Sequence, residues 1–389
     1  MILVHAGDDV QAVVATAAAG ETVHLGAGRH RGPLLVDRSL TIEGEPGTIL
    51  EGPGRGTVLT IDADDVTVRG LRVRGSGRDA TLGDAGVLVT ADRAVVENVV
   101  MEDVLIGLDV RQSNDGLFRN CEVRGDDSMP LGQRGDGIRI WESKRNRVQH
   151  NQLDSVRDVI VWYATENWIV DNVVRNSRYG THLMHADDNV VAANVYEQDV
   201  VGVFVMYSHD IDLWGNRVTG AHGAAGMGLG FKESDAIRAF GNHLYGNTVG
   251  VYLDATPQRI GGSALFTGNT LAYNHTGLRV HGSQTGATLV GNAMHENATQ
   301  ASVDGRSNAS GSYFLANQWS DYAGYDLDRD GYGDLAYTPQ TLSGGLTERR
   351  PAVGFFTGTP AAALLDLLAA AFPMFAPRPL LTDARPRLG

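Results

Sequence analysis

The sequence predicts an all-β chain wound as a right-handed parallel β-helix, and two series of residues carrying the same period predict it. Short strand-like segments return as Gly86-Val-Leu-Val, Gly107-Leu-Asp-Val, Gly137-Ile-Arg-Ile, Asp158-Val-Ile-Val, Gly180-Thr-His-Leu, Gly202-Val-Phe-Val, Gly226-Met-Gly-Leu, Gly250-Val-Tyr-Leu and Gly277-Leu-Arg-Val. Their starts are 21, 30, 21, 22, 22, 24, 24 and 27 residues apart. Asparagines 98, 120, 151, 172, 194, 216, 242, 269 and 292 run in phase with them. A basic period near 22 residues is one coil of three short strands and three turns, with coils stacked about 4.8 Å apart. Asparagines aligned in one turn can then hydrogen-bond their copies in neighbouring coils.

Bulk properties agree with a repeat array. At 389 residues the chain is too long for one ordinary compact core. Its 42% hydrophobic content and 49 glycines describe an ordered chain with many turns. A net charge of -14 without any basic run excludes a nucleic-acid partner. Cys121 is the one cysteine, so no intrachain disulfide forms, and its default role is a small buried apolar side chain. The residues Met1 to His5 lack the basic and apolar stretches of a signal peptide, leaving a cytoplasmic chain or one whose leader has been removed. No stretch approaches the roughly 18 apolar residues of a membrane span.

Taken in order, Asp8 to Gly20 reads as a capped amphipathic helix with a glycine stop, placed to cover the first coil. The long steps locate loop insertions at about 124–136, 219–225 and 255–267. The expected organisation is a capped β-helix over 1–320, an Asp-rich loop region over 321–345, and an apolar helix with a Pro-rich tail over 346–389.

Strand alternation turns the first and third residues after each glycine inward, and the second and fourth outward. The outward second positions are Leu88, Asp109, Arg139, Ile160, His182, Phe204, Gly228 and Tyr252, and the fourth are Thr90, Arg111, Trp141, Trp162, Met184, Met206, Gly230 and Asp254. In the middle coils this makes an exposed apolar patch with Trp141, Trp162 and Phe204, a composition suited to a partner surface. Met184, Met206 and His182, with His185 and His209 close in sequence, are soft ligands suited to Cu(I). The competing reading is that these side chains pack beneath one of the inserted loops.

Asp326, Asp328, Asp330 and Asp334, with Gly331, match the first nine positions of an oxygen-rich calcium loop, though Tyr337 stands where its bidentate acid would be. Residues 360–373 form an apolar helix of about three turns, broken only by Asp366, that requires a surface to bury against: the last coil or a membrane partner. Pro373 to Pro386 reads as an extended tail. A β-helix is also the frame of carbohydrate-active lyases, hydrolases and epimerases. Asp109 with Asp136 or Asp158 would supply the two carboxyl groups a glycosidase needs. The polygalacturonase-like pattern of paired aspartates, Gly-His-Gly and Arg-Ile-Lys is absent. A metal-free adaptor that only binds proteins is the third reading.

Arg178-Tyr-Gly-Thr-His-Leu-Met-His, Val203-Phe-Val-Met-Tyr-Ser and Gly250-Val-Tyr-Leu-Asp resemble the central repeats of the NosD family of nitrous oxide reductase maturation proteins. Residues 317–334 resemble that family's C-terminal signature more specifically, and the helical tail through Phe372 and Met374 is similar too. The resemblance implies a non-enzymatic, periplasmic or otherwise extracytoplasmic protein attached to a membrane ABC transporter. It also implies a role in assembling the copper centres of nitrous oxide reductase, with copper received from a chaperone lipoprotein. Typical members carry tyrosine at the place matched by His185.

Overall fold

The computed structural model describes the chain apart from residues 283–284, 305–308, 340–354, 357–358, 373–378 and 389. It forms two compact units, Met1–Asp212 and Leu213–Gly389. Each is built of parallel coils of about 23 residues, as the periodicity predicts. One coil of the first unit runs through the strands Trp168–Val170, Val173–Arg175 and Tyr179–Met184, one in each of three sheets. The middle residue of each three-residue strand turns inward, as does Leu183 in the longer one, so Ile169, Val174 and Leu183 are all buried. Equivalent residues of successive coils sit in register, as in Val148, Ile169 and Val191, and like side chains stack on like.

At the corners, buried asparagines form the ladders that the sequence leads one to expect, with a shifted start. In the first unit the Asn151 N–H and Nδ2 both donate to Asn172 Oδ1, at 3.0 and 2.9 Å, and Asn172 repeats this on Asn194 Oδ1. Cys121 occupies the preceding rung and donates its N–H to Asn151 Oδ1. Asn98 and Asn120 are therefore not rungs; both are exposed, with φ of +55° and +53°. A neighbouring residue of each takes the inward place, and the asparagines serve the left-handed turn that their short polar side chains tolerate. In the second unit the ladder runs Asn216, Asn242, Asn269, Asn292 and Asn317.

The recurring glycines answer a steric need. A Cβ on Gly180 would lie 2.6 Å from the Gly202 carbonyl oxygen and 2.3 Å from the Tyr196 ring. The same test corrects one repeat. Gly228, not Gly226, faces the Gly250 carbonyl at 2.6 Å, so the outward residues of that coil are Gly230 and Lys232.

Helix α1 (Val10–Thr16) is capped by Asp9, whose side chain accepts the Ala12 N–H. The Gln11 amide caps the strand Leu34–Val36, accepting the Leu35 N–H at 2.8 Å and donating to the Leu35 carbonyl at 3.2 Å. An edge that would otherwise offer free backbone groups is thereby closed.

The Pro-rich tail is not simply extended. Residues 379–388 fold back onto the last coil, through bridges from Asp383 to Phe314 and from Arg387 to Gln318. Asp383 is fully buried and accepts from Asn317 N–H, Asn317 Nδ2 and Trp319 Nε1 at 2.9 to 3.1 Å. It is the terminal rung of the second ladder. Helix α2 (Pro360–Ala371) is capped by Thr359 but leaves Leu364, Leu365, Leu367 and Leu368 exposed, so burial on the last coil is not what satisfies its apolar side.

Candidate functional site on the third sheet

Two outward columns run across the middle coils of the first unit. One is Arg111, Trp141, Trp162, Met184 and Met206, and the other is Asp109, Arg139, Ile160, His182 and Phe204, each in strand register. Their direction is as alternation dictates. Their exposure is not uniform: Trp141 and Trp162 remain 36% exposed, whereas Ile160 and His182 are reduced to 9% and 8%. The patch is therefore only partly open, because bulky side chains on coils about 4.8 Å apart cover one another. No inserted loop is needed for this.

His182 lies at the centre of the covered part. Its ring is 4.8 Å from the Tyr179 ring and 6.0 Å from Phe204, and those two rings are 5.7 Å apart. A β-bulge puts Tyr179 there. Asp158 pairs with Tyr179 but Ile160 pairs with His182, so the second strand carries one extra residue between them and both rings emerge on the same side. Tyr179 was not among the residues the sequence singled out, since strict alternation sends residues three apart to opposite faces.

The His182 Nε2 lies 3.3 Å from Met206 Sδ, while Nδ1 is buried with no hydrogen-bond partner among the described residues. Burial, helped by the nearby Arg178 guanidinium, depresses the imidazole to about 4, so it is neutral and able to donate a lone pair at ordinary pH. A metal about 2.0 Å from nitrogen and about 2.3 Å from sulfur separates these donors by about 3.5 Å at a tetrahedral angle and about 4.3 Å when linear. The observed spacing fits a bent arrangement with a third ligand. Met184 is paired with Met206 on the adjacent strand.

The other two histidines are not part of this group. His185 is exposed at the left-handed corner, with φ of +49°, stacked between Tyr163 at 5.0 Å and Tyr207 at 5.1 Å. It forms the middle of a ladder of three rings. His209 lies beyond the corner, where its backbone N–H donates to Asp187 Oδ1 at 2.7 Å and Nδ1 lies 3.3 Å from the same oxygen. The five-residue copper set thus separates into His182, Met206 and Met184 on the sheet, and His185 and His209 around the corner.

The carboxylates that a glycosidase would use are committed elsewhere. Asp109 is fully buried between Arg111 and Arg139, Asp136 receives two 2.9 Å bonds from Arg157, and Asp158 is paired with Arg178. Each is held as an ion pair, leaving no free acid and base across a cleft at these positions.

In the second unit, Asp326, Asp328 and Asp330 bring carboxylate oxygens within 4.8 Å of one another, and Asp334 stands outside that group, accepting the Leu327 N–H. Much of their capacity is spent on their own loop. Asp326 accepts from the Asp330 and Gly331 N–H groups, and Asp330 pairs with Arg385 of the returning tail. Tyr337 is no missing ligand: it stacks on Trp319 at 4.5 Å and donates its hydroxyl to Asp321. Phe372, at the end of helix α2, is 52% exposed, and Met374 lies outside the described residues.

Comparison with known proteins bears on the family and the fold. Residues 119–324 match the family described as periplasmic copper-binding protein (NosD). A probable ABC transporter binding protein NosD of Pseudomonas aeruginosa is 29% identical over 388 residues, covering 90% of this chain and 84% of that one. A protein of the same description from Stutzerimonas stutzeri is 28% identical, covering 93% and 85%. Among solved structures, the A-module of the mannuronan C-5 epimerase AlgE6 of Azotobacter vinelandii superposes with a TM-score of 0.58 at 15% identity, over 78% of this chain and 93% of that one. A Thermotoga maritima exopolygalacturonase superposes with a TM-score of 0.50 at 10% identity, over 80% and 90%. These two share the fold alone. With the family match spanning more than half of its length, the chain belongs to the NosD family of periplasmic copper-binding proteins.

Proposed function

We propose that this protein is a non-enzymatic, extracytoplasmic accessory of an ABC transporter that assists copper delivery and copper-centre assembly in nitrous oxide reductase. Cu(I) would come to it from a copper chaperone lipoprotein. The observation that carries this reading is the neutral His182 imidazole 3.3 Å from the Met206 thioether, with Met184 in register beside it. Two thioethers and an imidazole are soft, uncharged donors that suit Cu(I). Because the thioethers lie on an outward face, they can pass the ion by ligand exchange. Trp141, Trp162 and Phe204 flank them and supply the apolar ground on which a chaperone or the reductase docks. The exposed leucines of helix α2, with Phe372, are the surface offered to the transporter. The clustered Asp326, Asp328 and Asp330 offer a separate calcium position that steadies the C-terminal loop.

The test is an anaerobic Cu(I) titration against a competing chelator, on the wild type and on a variant with Met184→Leu and Met206→Leu. Binding lost in the variant, with melting unchanged, supports the site. Absence of binding in both proteins would leave the face as a docking surface and sink direct copper handling.

A further inference from the structure

We propose that the rings of Tyr179 and Phe204 are the selectivity element of the His182–Met206 site, admitting a bare soft monovalent cation and turning away hydrated divalent ions. This deepens the copper-handling reading and rests on it. Three observations carry it.

First, the donors are uncharged and the nearby acids are occupied. Asp136 is bound by Arg157 through two 2.9 Å hydrogen bonds, and Asp158 is bound by Arg178. An incoming cation therefore meets no free carboxylate at these positions. Second, one side of the imidazole is walled by hydrocarbon. Tyr179 tilts at 49° to it and Phe204 stacks at 20°, and Nδ1 is buried without a hydrogen-bond partner among the described residues. Third, the wall is anchored and backed by positive charge. The Arg178 guanidinium lies 4.7 Å over the Tyr179 ring while paired with Asp158, which holds the ring in place.

Entry into such a slot requires an ion to shed water. The cost of removing a charge from water rises as its square, so a divalent ion pays about four times what a monovalent ion of like size does. Zn(II) recovers that cost from carboxylates, imidazoles or thiolates, which this slot does not supply beyond one imidazole. Cu(I) and Ag(I) recover it from thioethers. The rings thus act through dryness and charge, not by ligation. They are positioning and selectivity residues, and any aliphatic side chain that keeps the slot dry should serve in place of Phe204.

The experiment measures Ag(I) and Zn(II) affinities of the full chain by equilibrium dialysis with elemental analysis. It uses the wild type, Phe204→Ser, Phe204→Leu and Tyr179→Ser, each checked for an unchanged thermal transition. Expected is a strong preference for Ag(I) in the wild type, retained in Phe204→Leu and reduced by at least about tenfold in the two serine variants, the equivalent of about 1.4 kcal/mol. A ratio unchanged in both serine variants overturns the proposal while leaving the copper site standing. Wild-type protein that binds no Ag(I) at all overturns the site itself, and with it this inference. Should one serine variant fail to fold, the other together with Phe204→Leu still decides the matter.

Discussion

A single buried carboxyl shows how strongly one residue depends on its coil. Asp199 is 2% exposed; its Oδ1 accepts from the Ser177 N–H at 2.8 Å and the Ser177 hydroxyl at 2.6 Å, while Oδ2 is buried without a hydrogen-bond partner among the described residues. Burial pushes its pKa up to about 8. The folded protein therefore binds a proton that the unfolded chain releases from about pH 4 upward. Stability falls as pH rises through that window, by about 1.4 kcal/mol per unit at the steepest, and levels off above the folded value. In the second unit the corresponding hydrogen-bond pattern is made by asparagine, as where Asn274 Oδ1 accepts the Asn247 N–H. Asp199→Asn should raise the melting temperature at pH 7.5 and converge with the wild type near pH 4.5. Parallel melting curves of the two proteins across that range would remove the assignment.

At the scale of an element, the asparagine ladder is a network in which each rung serves two neighbours. Asn172 accepts from Asn151 and donates to Asn194 Oδ1 and to the Val148 carbonyl oxygen, all inside the coil stack. Asn172→Val removes an acceptor from two buried donors and a donor from a buried carbonyl. The cost should be about 2–4 kcal/mol, since each stranded buried group costs on the order of 1–3 kcal/mol and neighbours relax in part. Chemical denaturation should place the loss in that range with an unchanged slope. A loss below about 0.5 kcal/mol, within the scatter of ordinary surface substitutions, would mean the ladder is ornamental.

For the whole chain, the pressing problem of a β-helix is its ends, because a repeat supplies edges without limit. Near the N-terminus the Gln11 side chain of α1 covers the edge of one sheet, and residues 379–388, with Asp383 as last rung, cover the last strands of the other two. Asp383→Ala strands three buried donors on Asn317 and Trp319. It should lower the melting temperature by several degrees and raise light scattering on heating, as expected for about 2–3 kcal/mol and an opened edge. Asp383→Asn, which keeps an acceptor oxygen and is the residue the ladder uses elsewhere, should be milder. Equal effects of the two substitutions would show that the tail, not the rung, closes the end.

What the sequence alone determined is the repeat itself, apart from the exact position of one glycine and of two asparagines. A 22-residue period, β-branched residues at alternate positions and glycines at the close coil contacts depend on local geometry, so they specify coils, inward faces and outward columns before any contact is known. The pairing of Met184 with Met206 followed from that register, as did family membership from the motifs along it. Tertiary structure decided what depends on residues one coil away. Outward His182 became a buried, neutral imidazole because Tyr179 and Phe204 close over it, and Tyr179 reached it only through a bulge that no period announces. His209 parted from His182 because a corner lies between them, although they are close in sequence. Asn98 and Asn120 stand outside the ladder because each lies one position before the inward place, which Val99 and Cys121 take in unbroken register with Asn151. Asp383 joined it from 66 residues beyond Asn317, a separation at which composition says nothing about contact.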